Sequence, residues 1–292
     1  MNARVRAVEY IRRMRGGSQA KLMRCSDRRY YVVKFQNNPQ GARILANDLL
    51  GTLLAQTLGL PVSEPAIVNV EEGLIRFTEE LVICTRCGQV PCSPGLCFGS
   101  RYPIVGRTPR IVYDFLPDDF LGRVLNLSDF LGMLVFDKWT GNTDNRQVVF
   151  IQEAPPDNGL PYYTYRALMI DQGNCFDGDH WTFADAPRRG IYFKRKPYAK
   201  VESIEAFEPW LRRLECGMTR GVLEQLAQEI PPGWYAGDKK SMSRLLGELD
   251  SRRSKVRDIL EQTLCAVPDF FPSWRSGTER FGCASLNQFV GG

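Results

Sequence analysis

Two aspartates, Asp144 and Asp171, are the residues of this sequence that could most directly do chemistry. Asp144 follows an apolar, helix-like stretch and precedes a short β-branched run, whereas Asp171 ends an apolar strand and is followed by the glycine turn at Gly173. Phosphoryl transfer needs one carboxylate that orients an attacking hydroxyl and another that holds magnesium. Two carboxylates about 5 Å apart would repel by roughly 3 kcal/mol at an effective dielectric of about 20. The pair therefore predicts a metal ion between them.

The segments around these aspartates predict a β-hairpin that would bring them together. The ranges 148–151 and 163–170 have the composition of strands and are joined by a loop at 153–159. Asp144 and Asp171 would then lie at the two outer ends of this hairpin, where their carboxylates can meet.

The first third of the chain predicts a β-rich unit with one helix. Residues 29–35 are β-branched and aromatic, which indicates a strand with Lys34 near its end. A short turn with Gly16, Gly17 and Ser18 precedes this strand, and its backbone N–H groups could approach a phosphate. An ordinary hairpin turn explains the glycines equally well.

A buried helix is predicted over 39–58, because apolar residues occur nearly all round it and Gly59 and Pro61 follow it. Asp48 has no basic partner one turn away on this helix, and a buried carboxylate needs a cation. Lys34 is the candidate partner. The alternative is that Asp48 reaches solvent at one edge of the helix.

The rest of the chain predicts a second, mainly helical unit. The segment from Asp114 to Pro117 resembles a linker, so the boundary between an N-lobe (1–115) and a C-lobe (116–292) is placed there. The tail from Pro268 is expected to pack across the C-lobe. Further strands are predicted at 66–70, 75–77 and 110–113, and helices at 128–139, 204–214, 220–230 and 242–264.

Composition restricts the class of protein. The chain has 292 residues, of which 43% are hydrophobic and 24% charged, and this indicates a soluble globular protein with one or two cores. No apolar run approaches the roughly 20 residues that span a bilayer. The first residues lack the apolar region of a secretory signal. The nine cysteines, an odd number, fit reduced thiols better than a set of disulfides. A cytoplasmic location is therefore expected. The net charge of +5 does not indicate a dedicated nucleic-acid surface.

Four cysteines lie in one segment that is rich in glycine and proline, namely Cys84, Cys87, Cys92 and Cys97. Four thiolates at this spacing could hold a structural zinc ion and staple a loop that lacks a core. The alternative is that ordinary loop cysteines happen to cluster here.

Several segments match, in the right order, the motifs of one known family; they are 15–19, 30–39, 46–50, 58–61, 98–103, 137–144 and 170–173. The chain resembles the HipA-like kinases, a bacterial branch of the protein-kinase-like fold with kinship to phosphatidylinositol kinases. The resemblance implies an α+β, two-lobed protein-kinase-like fold, with a β-rich N-lobe that contains one helix and a mainly helical C-lobe. It also implies a kinase that uses ATP and Mg²⁺, with a protein serine or threonine as the first choice of acceptor.

The resemblance assigns a role to each of the acidic and basic residues above. Lys34 matches the strand lysine that holds the α- and β-phosphates of ATP, and Asp48 matches the helix carboxylate that would steady it. Asp144 matches the catalytic-loop aspartate. Asp171 matches the metal-binding aspartate of the Asp-Phe-Gly-type segment, here with Gln172 in the middle position.

The remaining nucleotide contacts that the resemblance implies fall in two segments. The hinge beside adenine would run from Val112 to Leu116 and would include Asp114 and Phe115. The turn at 16–18 would hold phosphates.

One position departs from the wider kinase pattern. An asparagine five residues after the catalytic aspartate usually holds a second magnesium ion, but Val149 stands there. Gln147, Asn145 or Asn142 must substitute, or the second site is missing; Gln147 is favoured, since the resembling family can show an Asp-x-Arg-Gln form here. Arg146 would screen negative charge on the incoming phosphate, or it is a solvated surface arginine.

Two other functions stay open beside the kinase. The valine at position 149 motivates a nucleotide-binding interaction module that has lost turnover. A basic run at 188–200 could steer anionic substrates and so motivates a lipid or small-molecule kinase. The phosphate acceptor, a protein or a small molecule, is not evident from the sequence. A small regulatory partner protein stays open as well.

Overall fold

The computed structural model describes residues 3–105, 108–109, 111–153 and 163–275 of the chain. Its strands are β1 (Ala3–Arg13), β2 (Lys21–Cys25), β3 (Tyr30–Lys34), β4 (Pro65–Val70), β5 (Val82–Thr85), β6 (Gly88–Pro91), β7 (Gly95–Arg101), β8 (Ile104–Val105), β9 (Thr108–Pro109), β10 (Val112–Tyr113), β11 (Val148–Glu153) and β12 (Thr164–Met169). Its helices are α1 (Arg43–Thr57), α2 (Glu72–Arg76), α3 (Asp118–Leu121), α4 (Asp129–Thr140), α5 (Glu208–Gly217), α6 (Arg220–Ala227), α7 (Lys239–Arg252) and α8 (Val256–Ala266).

Five strands of the N-terminal region close into a barrel in the order β1-β2-β3-β7-β4. The neighbours are antiparallel except for β1 and β4, a parallel pair that closes the barrel. Strand β3 forms because its residues are aromatic and β-branched. Its alternation places Tyr31 and Val33 in the barrel core, and Lys34 lies at its end, opposite Phe98 of β7. The predicted strands at 29–35 and 66–70 are confirmed.

Helix α1 is buried on nearly all sides, as its composition predicts, although it begins at Arg43 rather than near residue 39. The buried run extends without a break from Ile44 to Ala55. Gly59, in the left-handed region with φ +77°, then turns the chain away from the helix. The apolar side chains of α1 share one core with the C-terminal helices, so this helix joins the barrel to the rest of the molecule.

The C-terminal region contains a three-stranded sheet, β10-β11-β12, and helices α3 to α8. Strands β11 and β12 form the predicted hairpin, with Val148 opposite Met169 at its open end. Asp144 and Asp171 flank this end, as expected. Strand β10 lies before the predicted lobe boundary at residue 115 and yet pairs with β11 beyond it, so the division into two lobes at this residue stays a prediction.

Two predicted elements are wrong. The range 75–77 lies largely in helix α2 instead of a strand, because three apolar residues are too few to distinguish the two periodicities. The range 242–264 forms two helices, α7 and α8, which a 3₁₀ turn separates. The interruption follows Arg252, whose guanidinium points inward and donates to the carbonyl oxygens of Lys138 and Trp139.

Three predicted segments extend beyond the described residues. They are the hairpin loop after Glu153, the start of the strand at Arg110 and the tail after Arg275. In the described ranges, no helix has both the length and the apolar character that crossing a bilayer requires.

Candidate functional site

Lys34 forms the centre of a buried charge cluster. Its Nζ donates to Asp48 Oδ2 at 2.7 Å and to Asp171 Oδ1 at 2.9 Å. The predicted pair of Lys34 and Asp48 is therefore present, and the alternative in which Asp48 reaches solvent is wrong, because the Asp48 side chain is only 2% exposed. The second partner, Asp171, comes from a segment 137 residues away. The cluster thus joins strand β3, helix α1 and the turn after β12.

The ionisation of this cluster follows from burial and from its own charges. Burial lowers the pKa of Lys34, but Asp171 and Asp48 outweigh this effect, and the pKa is raised overall. Burial raises the pKa of Asp48 above its ordinary range, although Lys34 opposes the change. Burial also raises the pKa of Asp171, but Lys34 and the backbone N–H of Gly173 outweigh it, so that its pKa is lowered. Asp171 is therefore the better anion of the two and is better suited to a cation.

The loop that carries Asp144 begins at the end of helix α4. Gly141 takes the left-handed conformation with φ +60° and donates its N–H to Asp137 O, which ends the helix. Asn142 then donates its Nδ2 to Asp137 Oδ1 at 2.9 Å and accepts the N–H of Asp144 on its Oδ1 at 3.1 Å. Both the nitrogen and the oxygen of this buried side-chain amide therefore form hydrogen bonds within the segment 137–144. This geometry fits a residue that positions Asp144, and the metal-ligand role of Asn142 stays a prediction.

The carboxylate of Asp144 is half-buried and held by two amides. Gln147 Nε2 donates to Asp144 Oδ2 at 2.9 Å, and Asn174 Nδ2 approaches the same oxygen at 3.4 Å. The backbone carbonyl oxygen of Asn174 also accepts the backbone N–H of Thr143 at 3.1 Å. Asn174 is not among the site residues predicted from the sequence, although its place three residues after Asp171 is a signal that could have found it.

Arg146 is buried, with a side chain only 1% exposed, so its interpretation as a solvated surface residue is wrong. Its Nε donates to Asp137 Oδ2 at 2.8 Å, and its Nη2 pairs with Asp137 Oδ1. Its Nη1 donates to Ile170 O at 3.1 Å and to Gln172 Oε1 at 2.8 Å. The guanidinium thus holds the Asp144 loop against the residues on both sides of Asp171. This arrangement favours a positioning role over the predicted contact with the incoming phosphate.

Gln172 occupies the middle of the Asp-Gln-Gly segment and is buried. Its side chain accepts from Arg146, its N–H donates to Asp48 Oδ1 at 2.9 Å, and its Cβ packs where a side chain on Gly51 of α1 would stand. A polar side chain at this position therefore satisfies the buried guanidinium, which an aromatic ring could not do.

Oxygen donors at the open end of the hairpin suit a hard divalent cation. Asp171 contributes a carboxylate that is 25% exposed, and the exposed Gln147 contributes an amide oxygen while its nitrogen faces Asp144. Within the described ranges of the chain, no group of three or more His, Cys, Asp or Glu side chains could hold a metal by itself. A magnesium ion here would therefore depend on Asp171, on amide oxygens and on the phosphates of a nucleotide.

The turn between β1 and β2 contains the predicted phosphate-binding residues. Gly16 has φ +115°, a conformation that favours glycine, and its carbonyl oxygen accepts the N–H of Gln19 at 3.2 Å. A side chain on Gly17 would meet the end of Gln40 at 3.5 Å, while Ser18 is buried. The turn therefore lies beside the segment that leads into helix α1.

The predicted hinge is split between core and surface. Leu116 is buried in the main core, whereas Asp114 is exposed. Phe115 is also exposed and stacks on Phe193, with ring centroids 6.3 Å apart and Lys194 Nζ 4.7 Å from the Phe115 ring. Val112 pairs with Ile151 of β11. The contact of Phe115 with Phe193 joins this segment to the basic run at 188–200.

The predicted zinc site is not formed among the described cysteines. Cys92 and Cys97 are buried members of the barrel core, and burial raises the pKa of Cys92 to about 11. Cys84 and Cys87 lie on the β5–β6 hairpin, where Cys84 is half-buried and Cys87 exposed. The segment thus separates into two core thiols and two hairpin thiols, because Cys92 and Cys97 pack into the barrel core while Cys84 and Cys87 stay on the hairpin.

A buried lysine, Lys138, holds the segment at 186–189, which follows the turn of Asp171. Lys138 Nζ donates to the carbonyl oxygens of Ala186, Pro187 and Arg189 at 3.1, 2.9 and 2.8 Å. Burial lowers the pKa of Lys138 to about 8. Further along, the N–H of Gly190 donates to Asp144 O at 2.9 Å, so this segment is tied directly to the loop of the candidate catalytic aspartate.

Comparison with known proteins identifies the family and the fold of the chain. The sequence matches the profile of the HipA-like kinase family over residues 7–271. The Helicobacter pylori proinflammatory kinase CtkA has a similar structure, with a TM-score of 0.56 at 13% identity over 91% of this chain and 99% of that one. This likeness confirms the predicted α+β, kinase-like fold.

Two other solved structures are less similar. The Golgi casein kinase with Mn/ADP bound has a TM-score of 0.43 at 13% identity, over 89% of this chain and 74% of that one. The Shewanella oneidensis HipA in complex with HipB and operator DNA has a TM-score of 0.46 at 12% identity, over 78% of this chain and 60% of that one. A comparison with curated proteins found no match. Because the family profile spans most of the sequence, the chain belongs to the family of HipA-like kinases.

Proposed function

We propose that the protein transfers the terminal phosphoryl group of ATP, with Mg²⁺, to a serine or threonine of a protein. Its family is one of kinases. The observation that carries the proposal is the position of Arg146, which holds the loops of Asp144 and Asp171 against each other. Lys34 also reaches Asp171 from the barrel side, which supports a shared role of these residues in phosphoryl transfer.

Each side chain has a distinct role in this proposal. Asp144 orients the acceptor hydroxyl and takes its proton, since its carboxylate is half-buried and fixed by Gln147 and Asn174. Asp171, with the amide oxygen of Gln147, would hold magnesium, which when bound neutralises charge on the phosphates. Lys34 would hold the α- and β-phosphates while keeping its contact with Asp48.

The other nucleotide contacts come from backbone and hinge. The turn at 16–18 would offer N–H groups to phosphate, and the segment from Val112 to Leu116, with Asp114 and Phe115, would border adenine. A cytoplasmic location and a small regulatory partner protein stay predictions.

The proposal is tested with purified protein, labelled ATP, magnesium and a dephosphorylated general acceptor protein. We expect transfer by the wild type and a loss of about 100-fold or more in Asp144→Asn, because general base catalysis contributes roughly 10²–10⁴-fold. Asp269→Asn, a change at an exposed aspartate outside the site, is the matched control and should keep full activity. Equal activity in Asp144→Asn and the wild type would refute the role of Asp144.

A second candidate is a nucleotide-binding module without turnover. Val149 favours it, because this residue pairs with Leu168 in the hairpin and is only 8% exposed, so no polar group stands where a second metal ligand is expected. ATP-dependent thermal stabilisation without any phosphate transfer, equal in wild type and Asp144→Asn, would support this function.

The basic run offers less support for a lipid or small-molecule kinase. Lys194 pairs with Asp118 at 2.6 Å, and Arg189 donates to Ala184 O at 3.0 Å, so two of its cations are engaged within the protein. If this function were correct, neutralising the exposed Arg195 would lower transfer to liposomes or metabolites and leave transfer to protein unchanged.

A further inference from the structure

The β5–β6 hairpin is joined directly to the glycine-bearing turn. Gln19 of that turn is buried and has φ +51°. Its Nε2 donates to Cys84 O at 2.7 Å, and its Oε1 accepts the N–H of Cys84 at 2.8 Å. Two hydrogen bonds to the backbone of one residue mean that a displacement of Cys84 must either move Gln19 or break both bonds.

The thiol of Cys84 lies in electropositive surroundings. Arg13 Nη1 donates to Cys84 Sγ at 3.4 Å, and Gln89 Nε2 approaches the same sulfur at 4.0 Å. The buried Lys21, which donates to Val82 O at 2.8 Å, interacts electrostatically with Cys84 as well. Reactive cysteines in proteins are typically found in such partly exposed, positively charged places.

Cys87 stands three residues further on, at the tip of the same hairpin. Thr85 and Gly88 form the last pair of the ladder, so Cys87 is one of the two residues of the connecting turn. It is exposed, and its N–H donates to Thr85 Oγ1 at 3.2 Å. Because the other two cysteines of this segment are buried in the barrel core, Cys84 and Cys87 are its accessible thiols.

We propose that Cys84 and Cys87 are a modification site, a thiol pair that hydrogen peroxide converts to a disulfide, and that this change displaces the glycine-bearing turn. The Cys84 thiolate attacks one peroxide oxygen, the O–O bond breaks, and sulfenic acid and hydroxide form. The Cys87 thiolate then attacks the Cys84 sulfur, the S–S bond forms, and the S–O bond breaks with release of a second hydroxide. The two thiol protons convert both hydroxides to water, so the thiols lose two electrons and peroxide gains them.

The ring of the disulfide draws Cys84 towards the hairpin tip and away from Gln19 and Arg13. A consequence for ATP rests on the proposed function, in which the turn at 16–18 holds phosphates. Oxidation should then weaken ATP binding by about fivefold or more, the usual size of coupling between two sites. A dithiol reductant should restore it.

The first test follows the chemistry alone. All proteins carry Cys216→Ser and Cys265→Ser, which remove two exposed thiols elsewhere. After peroxide, peptide mass spectrometry should show a loss of two hydrogens on the segment that holds both hairpin cysteines. Cys87→Ser should stop at a sulfenic acid on Cys84 that dimedone traps, and Cys84→Ser should give neither product. A disulfide to another cysteine, or no reaction, would overturn the proposal.

The second test follows the turn without any nucleotide. Amide hydrogen exchange over residues 14–20 should be faster in the oxidised protein than in the reduced protein. In Cys87→Ser, which cannot form the disulfide, the exchange rates of the peroxide-treated and the reduced protein should be equal. Unchanged exchange would refute the coupling between the thiols and the turn. If the disulfide and the faster exchange are seen but reduced protein binds no ATP, the proposed function fails and this inference stands.

Discussion

Lys34 is enclosed by two carboxylates, and this position makes its charge important for the stability of the fold. Removing one partner of a buried pair leaves an uncompensated charge, which costs more than removing both. The side chain of Lys34 is 7% exposed and that of Asp48 2% exposed, so solvent can compensate little of this cost. The cluster thus links the folding of the barrel to the geometry of the site.

We predict that Lys34→Met lowers the free energy of unfolding by roughly 3–5 kcal/mol and abolishes stabilisation by ATP. The double variant Lys34→Met/Asp48→Asn should regain some of the folding stability, because the buried charge is gone, but none of the response to ATP. Urea unfolding with and without ATP measures both effects. Additive losses in the double variant would contradict the ion pair.

The pH dependence of stability should depend on Asp171. Its pKa in the folded protein is lowered from the ordinary value of 3.8, chiefly by Lys34 acting against burial. Because the pKa is lower in the folded protein, the unfolded chain binds the proton more readily. The contribution of Asp171 to folding stability is therefore complete when the pH is above the pKa of the unfolded state, and it is lost as the pH falls through the pKa of the folded state. We predict a smaller loss of stability on acidification in Asp171→Asn than in the wild type. Denaturant titrations from neutral pH to well below the ordinary value of 3.8 measure the difference.

Gly190 has no room for a side chain. A Cβ there would lie 2.4 Å from Asp137 Cβ, and its φ is +74°. Gly237 has a similar φ of +67° but open space around it. We predict that Gly237→Ala costs about 1–2 kcal/mol for the backbone alone, and that Gly190→Ala costs clearly more. Equal midpoints of chemical denaturation for the two variants would show that the contact with Asp137 has no effect.

At the scale of elements, the loop between α4 and β11 depends on one guanidinium. Arg146 reaches back to Asp137 at the end of α4 and across to Ile170 and Gln172 after β12. A planar fork can make these bonds together, whereas an ammonium cannot. The distance between the loops of the two aspartates is therefore set by Arg146.

We predict that Arg146→Lys lowers kcat by about 100-fold, the size of effect that a misplacement of about 1 Å produces. The KM for ATP should change little, because Lys34 and the glycine-bearing turn lie on the barrel side. Steady-state kinetics measure the two constants, and circular dichroism verifies that the variant is folded. An unchanged kcat would exclude a positioning role.

At the scale of the whole molecule, helix α1 packs with both the barrel and the C-terminal helices. Its side chains belong to the same core as those helices and as Ile67 and Phe98 of the barrel strands. A direct bond adds to this, since Trp234 Nε1 in the turn before α7 donates to Leu96 O of β7 at 3.0 Å. The two regions are therefore joined by one hydrophobic core and by a direct hydrogen bond.

We predict a single unfolding transition for the whole protein. The five tryptophans all lie after residue 138, so their fluorescence reports mainly the C-terminal region and, through Trp234, its contact with β7. Far-ultraviolet circular dichroism reports both regions. Denaturation curves from the two signals should coincide. Two separate midpoints would show that α1 does not couple the barrel to the helices.

Local pattern predicts much of this architecture, because strands such as β3 and helices such as α1 form from residues whose propensity and tertiary environment agree. The partner of Asp48 could be inferred for the same reason, since a carboxylate on an apolar helix needs a cation. Asp137 on the apolar helix α4 carries the same signal and could have led to Arg146. The burial of Arg146 was missed because this residue lies in a loop, where spacing says nothing about depth.

Other features of the site arise only from the tertiary fold. The contact of Lys34 with Asp171 joins residues 137 positions apart, and no local pattern indicates it. The spacing of the four cysteines predicts a metal site because spacing along a chain does not show which side chains the fold buries. Cys92 and Cys97 face the barrel core and so are not available to a shared ion.

The enclosure of Lys138 gives this protein a built-in probe of local opening. Acylating reagents modify amines in their neutral form, and burial lowers the pKa of Lys138 to about 8. Its nitrogen is nevertheless covered by the carbonyls of Ala186, Pro187 and Arg189. The rate at which a small anhydride labels this lysine should therefore report how often the 186–189 segment lifts from the end of α4.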